Sequence, residues 1–186
     1  LDFDFIPNPA HLIKFGANTI QHQFHPGEFY TRVVESESKI DVSTTLAQPD
    51  VSAFEFATYI EDDWKVTNRL RLNYGLHFSG FVPDGKSYFS LQPRANARYL
   101  FNKGWALKGA FSTMRQYIHL LTNETIGLPT DLWLPTTSQV KPQDSWQAAL
   151  GVAKTFAKNY EFSVEAYYKE MDNVIAFKEG ASVFQF

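Results

Sequence analysis

Cysteine is absent from the 186 residues, so the chain has no disulfide framework, thiolate nucleophile or thiolate metal site. A surplus of one charge sign is missing too. Seventeen basic and 20 acidic side chains leave a formal charge of −3, far from the basic excess that sequence-independent nucleic-acid binding needs. No apolar run approaches the roughly 18 to 20 residues of a membrane-spanning helix. Nucleic-acid partners and helical membrane spans are thereby excluded, and no glycine-rich phosphate loop is present. What the chain has in quantity is aromatic: 17 Phe, 9 Tyr and 4 Trp, against only 20% charged residues. So many rings need a location.

Periodicity supplies one. From Arg69 to Val82 one parity reads Leu70, Leu72, Tyr74, Leu76, Phe78 and Val82, and the other Arg69, Arg71, Asn73, His77 and Ser79. A period of two is a strand with one apolar and one polar face. Phe89 to Phe101 repeats the pattern with Ser90, Gln92, Arg94, Asn96 and Arg98 on the polar side. Similar alternation runs through Phe54 to Val66, Trp105 to Ser112, Ser145 to Phe156 and Glu161 to Lys169. Asp62 and Lys154 are exceptions, polar residues on the apolar parity near strand ends. Several of these segments are about twice the usual length of a strand in a soluble domain.

Short turns are expected at Ile6 to Ala10, Thr67-Asn68, Asn102-Lys103-Gly104 and Ala157 to Asn159, and long connections at His25 to Ser52, Val82 to Tyr88 and Leu121 to Asp144. Asn- and Gly-bearing turns are hairpin chemistry. The expected fold is therefore all-β, an antiparallel up-and-down meander of about eight long strands. Strand length, the alternation of short turns with long loops, and Trp64, Tyr99, Phe101, Trp105, Phe156 and Tyr160 beside the short turns favour a transmembrane barrel over a soluble sandwich. The polar parity then faces a lumen and the apolar parity lipid. Both chain ends fall on the long-loop side, opposite to the termini of a complete bacterial barrel. The expectation is that residues 1–186 are a partial barrel domain, a segment of a larger barrel.

The stretch Tyr59 to Val66 followed by Leu70 to His77, with its Asn73-Tyr74-Gly75-Leu76 core, resembles the barrel of TonB-dependent outer-membrane receptors. Leu91-Gln92-Pro93-Arg94 leading to Arg98-Tyr99, Glu165 to Lys169, and Lys14-Phe15-Gly16 ahead of His22 to Pro26 are similar to further strands of that barrel. The resemblance is closest to receptors bearing an N-terminal carboxypeptidase-regulatory-like domain. It implies a barrel of about 22 strands in the outer membrane of a Gram-negative bacterium, filled by a plug domain. It further implies import of a metal chelate, cobalamin or glycan driven by TonB. Plug, TonB box and the remaining strands lie outside this sequence.

On this reading Arg69, Arg71, Arg94, Arg98 and Glu165 face the lumen, with Glu55, Glu61 and Asp63, as charges that hold the plug or simply as a solvated wall. His25, Glu28, Tyr30, His119, Asp131 and Trp133, with Phe29, Asn123 and Leu132, are candidate ligand contacts at the outer loops, or loop residues serving solubility and mouth closure. Enzymatic readings are weak. Asp62 and Asp63 point to opposite faces and cannot act as a catalytic pair; His77 beside Ser79 lacks an acid partner. His22, His25 and Glu28 have no fixed geometry for a metal. No catalytic residue, metal or cofactor is expected. Two other classes stay open: a small closed membrane barrel with a structural or adhesive role, and a soluble carbohydrate-binding β domain. A severed barrel piece outside a membrane is expected to self-associate through its bare edges and apolar face.

Overall fold

A computed structural model describes residues 1–24, 28–35, 40–47, 51–121, 132–156 and 160–175. Among them are twelve strands: β1 (Asp2–Asn8), β2 (His11–Phe24), β3 (Glu28–Glu35), β4 (Ile40–Ala47), β5 (Val51–Lys65), β6 (Leu70–Pro83), β7 (Tyr88–Leu100), β8 (Trp105–Gln116), β9 (Ile118–Leu121), β10 (Leu132–Pro135), β11 (Gln143–Phe156) and β12 (Tyr160–Asp172). Eight form one sheet in the order β1-β2-β5-β6-β7-β8-β11-β12. Every pairing in it is antiparallel. This is the expected meander, and the sheet is open, as a segment of a larger barrel is. Two of the three expected long connections hold a ribbon each, β3 with β4 and β9 with β10. The third is short: only residues 84–87 separate β6 from β7.

Ladder register carries the alternation from strand to strand. Leu72 of β6 lies opposite Trp64 of β5 and Ala97 of β7, while Ile60, Leu76 and Pro93 share another row. The apolar parity thus forms one continuous outer face. On it Ile60, Leu91 and Leu150 are 53%, 60% and 59% exposed. A soluble domain would hide these side chains in its core. The buried apolar cluster is instead small, Ala53, Phe81, Tyr88 and Tyr117, and lies on the opposite, inner face. Apart from that cluster, most rings are displayed on the outer face rather than packed into a core, the arrangement of a barrel wall that faces lipid.

Rings gather at the short-turn end of the outer face. Tyr99 and Phe101 meet edge to face at 4.6 Å, and His11 stacks on Trp64 at 5.3 Å. Tyr160 lies opposite Phe156. An interface offers such rings both apolar and wet surroundings. The two polar exceptions have partners here. Asp62 accepts a hydrogen bond from the Tyr74 hydroxyl at 3.1 Å and pairs with His11 Nδ1 at 2.7 Å. The Lys154 ammonium sits over Trp105 and Phe156, 5.0 and 5.6 Å from the ring centres, and donates to the Lys103 carbonyl at the turn. A lysine on a lipid-facing strand reaches for the interface in this way.

The turn at Asn102–Gly104 needs left-handed backbone at Lys103 (φ 62°) and Gly104 (φ 77°), which glycine adopts without cost. Gly75 has a different reason. A Cβ there would come within 2.6 Å of the Ile60 carbonyl oxygen and 2.7 Å of Glu61 Cβ, so β5 and β6 approach too closely for any side chain.

Candidate functional site: the inner wall and its outer mouth

The inner face carries the chemistry. Successive rows of the ladder place Lys65 (β5) opposite Arg71 (β6), Arg71 opposite Arg98 (β7), Arg98 opposite Lys108 (β8), Lys108 opposite Gly151 (β11) and Gly151 opposite Glu165 (β12). Four cations therefore stand side by side across four strands. Asp63, one row above, takes both arms of Arg71, from Nε at 2.6 Å and Nη2 at 2.7 Å. Among the described residues Arg98 and Lys108 have no ion-pair partner. A shallow cavity of about 290 Å³ lies against this row, lined by Asp63, Arg71, Asn73, Asn96, Arg98, Lys108 and Glu165 with Ala110, Ala149 and Gly151 as its small-residue floor. Arg94 stands two rows higher, opposite Gly75.

Above Arg94 the sheet divides. The β7–β8 ladder runs only from Arg94–Ser112 to Leu100–Ala106, whereas β7 stays paired with β6 up to Tyr88 and β8 with β11 up to Gln116. Pro93 accounts for the break. Its carbonyl faces β8, where it accepts from Thr113 Oγ1 at 3.4 Å; in an antiparallel strand the N–H of the same residue would face that way too, and proline has none. Side chains bridge the gap. Gln92 Oε1 accepts from the Arg115 backbone N–H at 3.3 Å, and Arg115 Nη1 donates to the Phe89 carbonyl at 2.8 Å. Asp144 holds the same guanidinium at 2.5 and 2.8 Å. A cavity of about 430 Å³ fills the slot, and residues of both faces line it, Leu91, Pro93 and Trp146 on one side and Ser90, Gln92 and Ser145 on the other.

The bridge continues inward to the ribbon. Gln92 Nε2 donates to Ser79 Oγ at 2.8 Å, Ser79 Oγ meets the Tyr117 hydroxyl at 2.8 Å, and Tyr117 stacks on Phe81 at 5.1 Å. Strands β9 and β10 leave the wall just beyond Tyr117. The Thr136 N–H donates to the Tyr117 carbonyl at 2.7 Å, and the Tyr88 hydroxyl to the Thr137 carbonyl at 2.6 Å. Thr136 is fully buried and His119 beside it is 4% exposed. Burial holds the His119 imidazole below its ordinary value, a backbone hydrogen bond at Lys141 opposing this only in part. A histidine buried neutral makes the folded ribbon bind fewer protons than the unfolded one. The ribbon is therefore firmest above the ordinary value of about 6.5 and loosens as pH falls from there towards the lowered one. Amide protection factors of β9 and β10 should drop over that window, and His119→Gln should flatten the drop.

The candidate loop residues divide. His25 and Asp131 lie outside the described residues. Glu28 and Tyr30 are in β3, opposite Ala47 and Thr45, with their side chains outside the description. Trp133 is 57% exposed on β10, available for contact, while His119 is sealed beneath Thr136. His22 is taken by Glu55, at 2.9 Å. Asp62 and Asp63 do face opposite ways. The Gln92–Arg115 bridge was not among the candidates read from the sequence, and of the four-cation row only Arg71 and Arg98 were; an isolated proline inside an apolar-alternating strand was the available signal for the bridge.

A profile of the family described as TonB dependent receptor-like, beta-barrel matches residues 2–186. No curated protein matches the chain. The family is one of receptors and transporters, and it implies an outer-membrane location and, in full-length members, a plug domain and TonB. An open sheet of long meandering strands, apolar outside and charged inside, is the architecture such a profile describes, and the chain belongs to the TonB-dependent receptor β-barrel family.

Proposed function

We propose that residues 1–186 form a partial barrel domain, wall and outer mouth, of a TonB-dependent importer in the outer membrane of a Gram-negative bacterium. The importer takes up a nutrient ligand, a metal chelate, cobalamin or glycan, past a plug that TonB remodels. The chain's share of the work is structural and selective, not enzymatic. Its outer face contacts lipid, its inner wall meets the plug, and the outer loops with Trp133 on β10 and Glu28 and Tyr30 on β3 receive the ligand, His25 and Asp131 being further candidates from the sequence alone. The observation that carries the reading is the exposed Leu and Phe face opposite a charged one, on strands long enough to cross a bilayer when tilted.

This chain has no cysteine, so each introduced thiol is the only one within it, and labelling is read over that of the unsubstituted receptor. Single cysteines at Leu150 and Phe162 on the outer face, and at Tyr167 on the inner face, are introduced into the full-length receptor in outer-membrane vesicles. A water-soluble maleimide is expected to label Tyr167→Cys and to leave Leu150→Cys and Phe162→Cys unlabelled until detergent is added. Equal labelling of all three without detergent would sink the membrane reading.

A further inference from the structure

Along the β7–β8 seam the outer face is hollow. At its short-turn end Phe101, Trp105, Leu107 and Val152 bound a furrow of about 380 Å³. A second hollow of about 360 Å³ continues it towards the middle of the wall, where Ala97 and Gly109 stand opposite each other between Leu72 and Phe111. Water does not enter a hollow on a lipid-facing wall, and an unfilled one forfeits dispersion contacts along its lining; an acyl chain supplies them. Lys154 stands at the short-turn end of this furrow. Its ammonium lies 5.0 Å from the centre of the Trp105 ring, the same ring that bounds the furrow. One of its three N–H donors goes to the Lys103 carbonyl, which leaves two. Arg115, on the same parity at the other end of the wall, is held by Asp144. Among the described residues no carboxylate pairs with Lys154.

We infer that the furrow and Lys154 form a binding site for one anionic glycerophospholipid of the leaflet on the short-turn side, with an acyl chain along the β7–β8 seam and the phosphate on the Lys154 ammonium. Charge complementarity selects this occupant. A lysine without a carboxylate partner, beside an interfacial ring, suits a lipid phosphate, and Lys103 in the adjoining turn adds a second cation. The headgroup is anionic rather than zwitterionic because a headgroup amine has nothing to meet here. Among the described residues the outward carboxylate at this end of the wall is Asp62, on β5, and it is already bonded to His11 and Tyr74. A lysine that served only to reach water would not need an apolar furrow ending at its own ring. The inference rests on the membrane-wall reading; it adds that one lipid is held by a particular place on the wall, with a preference for its charge.

The test uses the purified full-length receptor in detergent, stripped of lipid and titrated with phosphatidylglycerol or with phosphatidylcholine of the same acyl chains. Native mass spectrometry counts bound lipids, and heat-modifiable gel mobility checks the barrel. The first phosphatidylglycerol should bind about fivefold more tightly than phosphatidylcholine. Lys154→Gln should remove that preference, and Lys154→Arg should keep it. Leu107→Trp, which fills the furrow, should weaken the first binding of both lipids. Equal binding of the two lipids to the wild type would overturn the inference without any variant. A preference retained in Lys154→Gln with an intact barrel would overturn it too. So would a receptor that dimerises and holds no lipid, which would put a second copy on the furrow. Lack of binding of either lipid to a wild type without a heat-modifiable barrel would overturn the inference together with the membrane reading beneath it.

Discussion

Gly75→Val is expected to cost about 3 kcal/mol and to remove most heat-modifiable receptor from the outer membrane. The Cβ would sit 2.6 Å from a backbone oxygen of the adjoining strand and 2.7 Å from Glu61 Cβ. Neither contact is with the free end of a flexible side chain. Relief requires β5 and β6 to separate, and these two strands share thirteen paired positions from Ala53–Pro83 to Lys65–Arg71. Because a ladder shift of one residue would turn the apolar face inward, the strain cannot be absorbed by slipping. Gly109→Ala provides the control: its added carbon would meet nothing nearer than Leu150 Cδ1 at 4.0 Å, so normal assembly is expected. If Gly75→Val accumulates as well as Gly109→Ala, the close approach is not needed.

Arg115→Ala is expected to open the division between β7 and β8. The guanidinium donates two hydrogen bonds to Asp144 and one to the Phe89 carbonyl, and the residue is only partly shielded, with 22% of its side chain exposed. Charge-assisted hydrogen bonds discounted for that exposure give a loss of about 2 kcal/mol. The loss should be local. Hydrogen exchange should quicken at Phe89 to Gln92 and at Thr113 to Tyr117, while the ladder from Arg94 to Leu100 keeps its protection. Gln92→Leu should reproduce part of the effect, since it removes the acceptor for the Arg115 N–H and the donor to Ser79 together. A uniform fall in protection along the whole of β7 and β8 would mean that Pro93 does not set the boundary.

Much of this architecture is legible before any coordinates, for a definite reason. Side-chain alternation is a property of each residue, so Leu70 to Val82 declares a strand with a lipid-facing parity by itself, and the Asn-Lys-Gly turn declares where the chain reverses. Strand order follows because a meander with short turns pairs neighbours. The ribbons β3–β4 and β9–β10 are less visible: β9 and β10 are apolar but only four residues each, too short to show a period, and β3 and β4 do not sustain a clean alternation. The candidate site is harder still. The sequence marks Arg71, Arg98 and Glu165 as inward, but it does not say which cation stands beside which; only register does, and a shift of two residues would leave the polar parity intact while pairing different charges. His119 reads as a displayed ring from its loop position, and only the fold of β10 over it, through Thr136, removes it from the surface.

The placement of Lys154 also measures something. On β11 the outer face runs from Trp146 to Lys154, eight residues, or about 26 Å of strand at 3.3 Å each. Tilted by about 40°, that becomes about 20 Å of vertical height. Trp146 packs near Tyr168 at one limit, and Lys154 reaches the turn carbonyl at the other. Two fixed polar-aromatic marks on a single strand thus act as a depth gauge. They suit a hydrocarbon layer thinner than that of an ordinary bilayer of about 30 Å, and a thicker one would have to pinch inwards around this wall or leave Lys154 submerged.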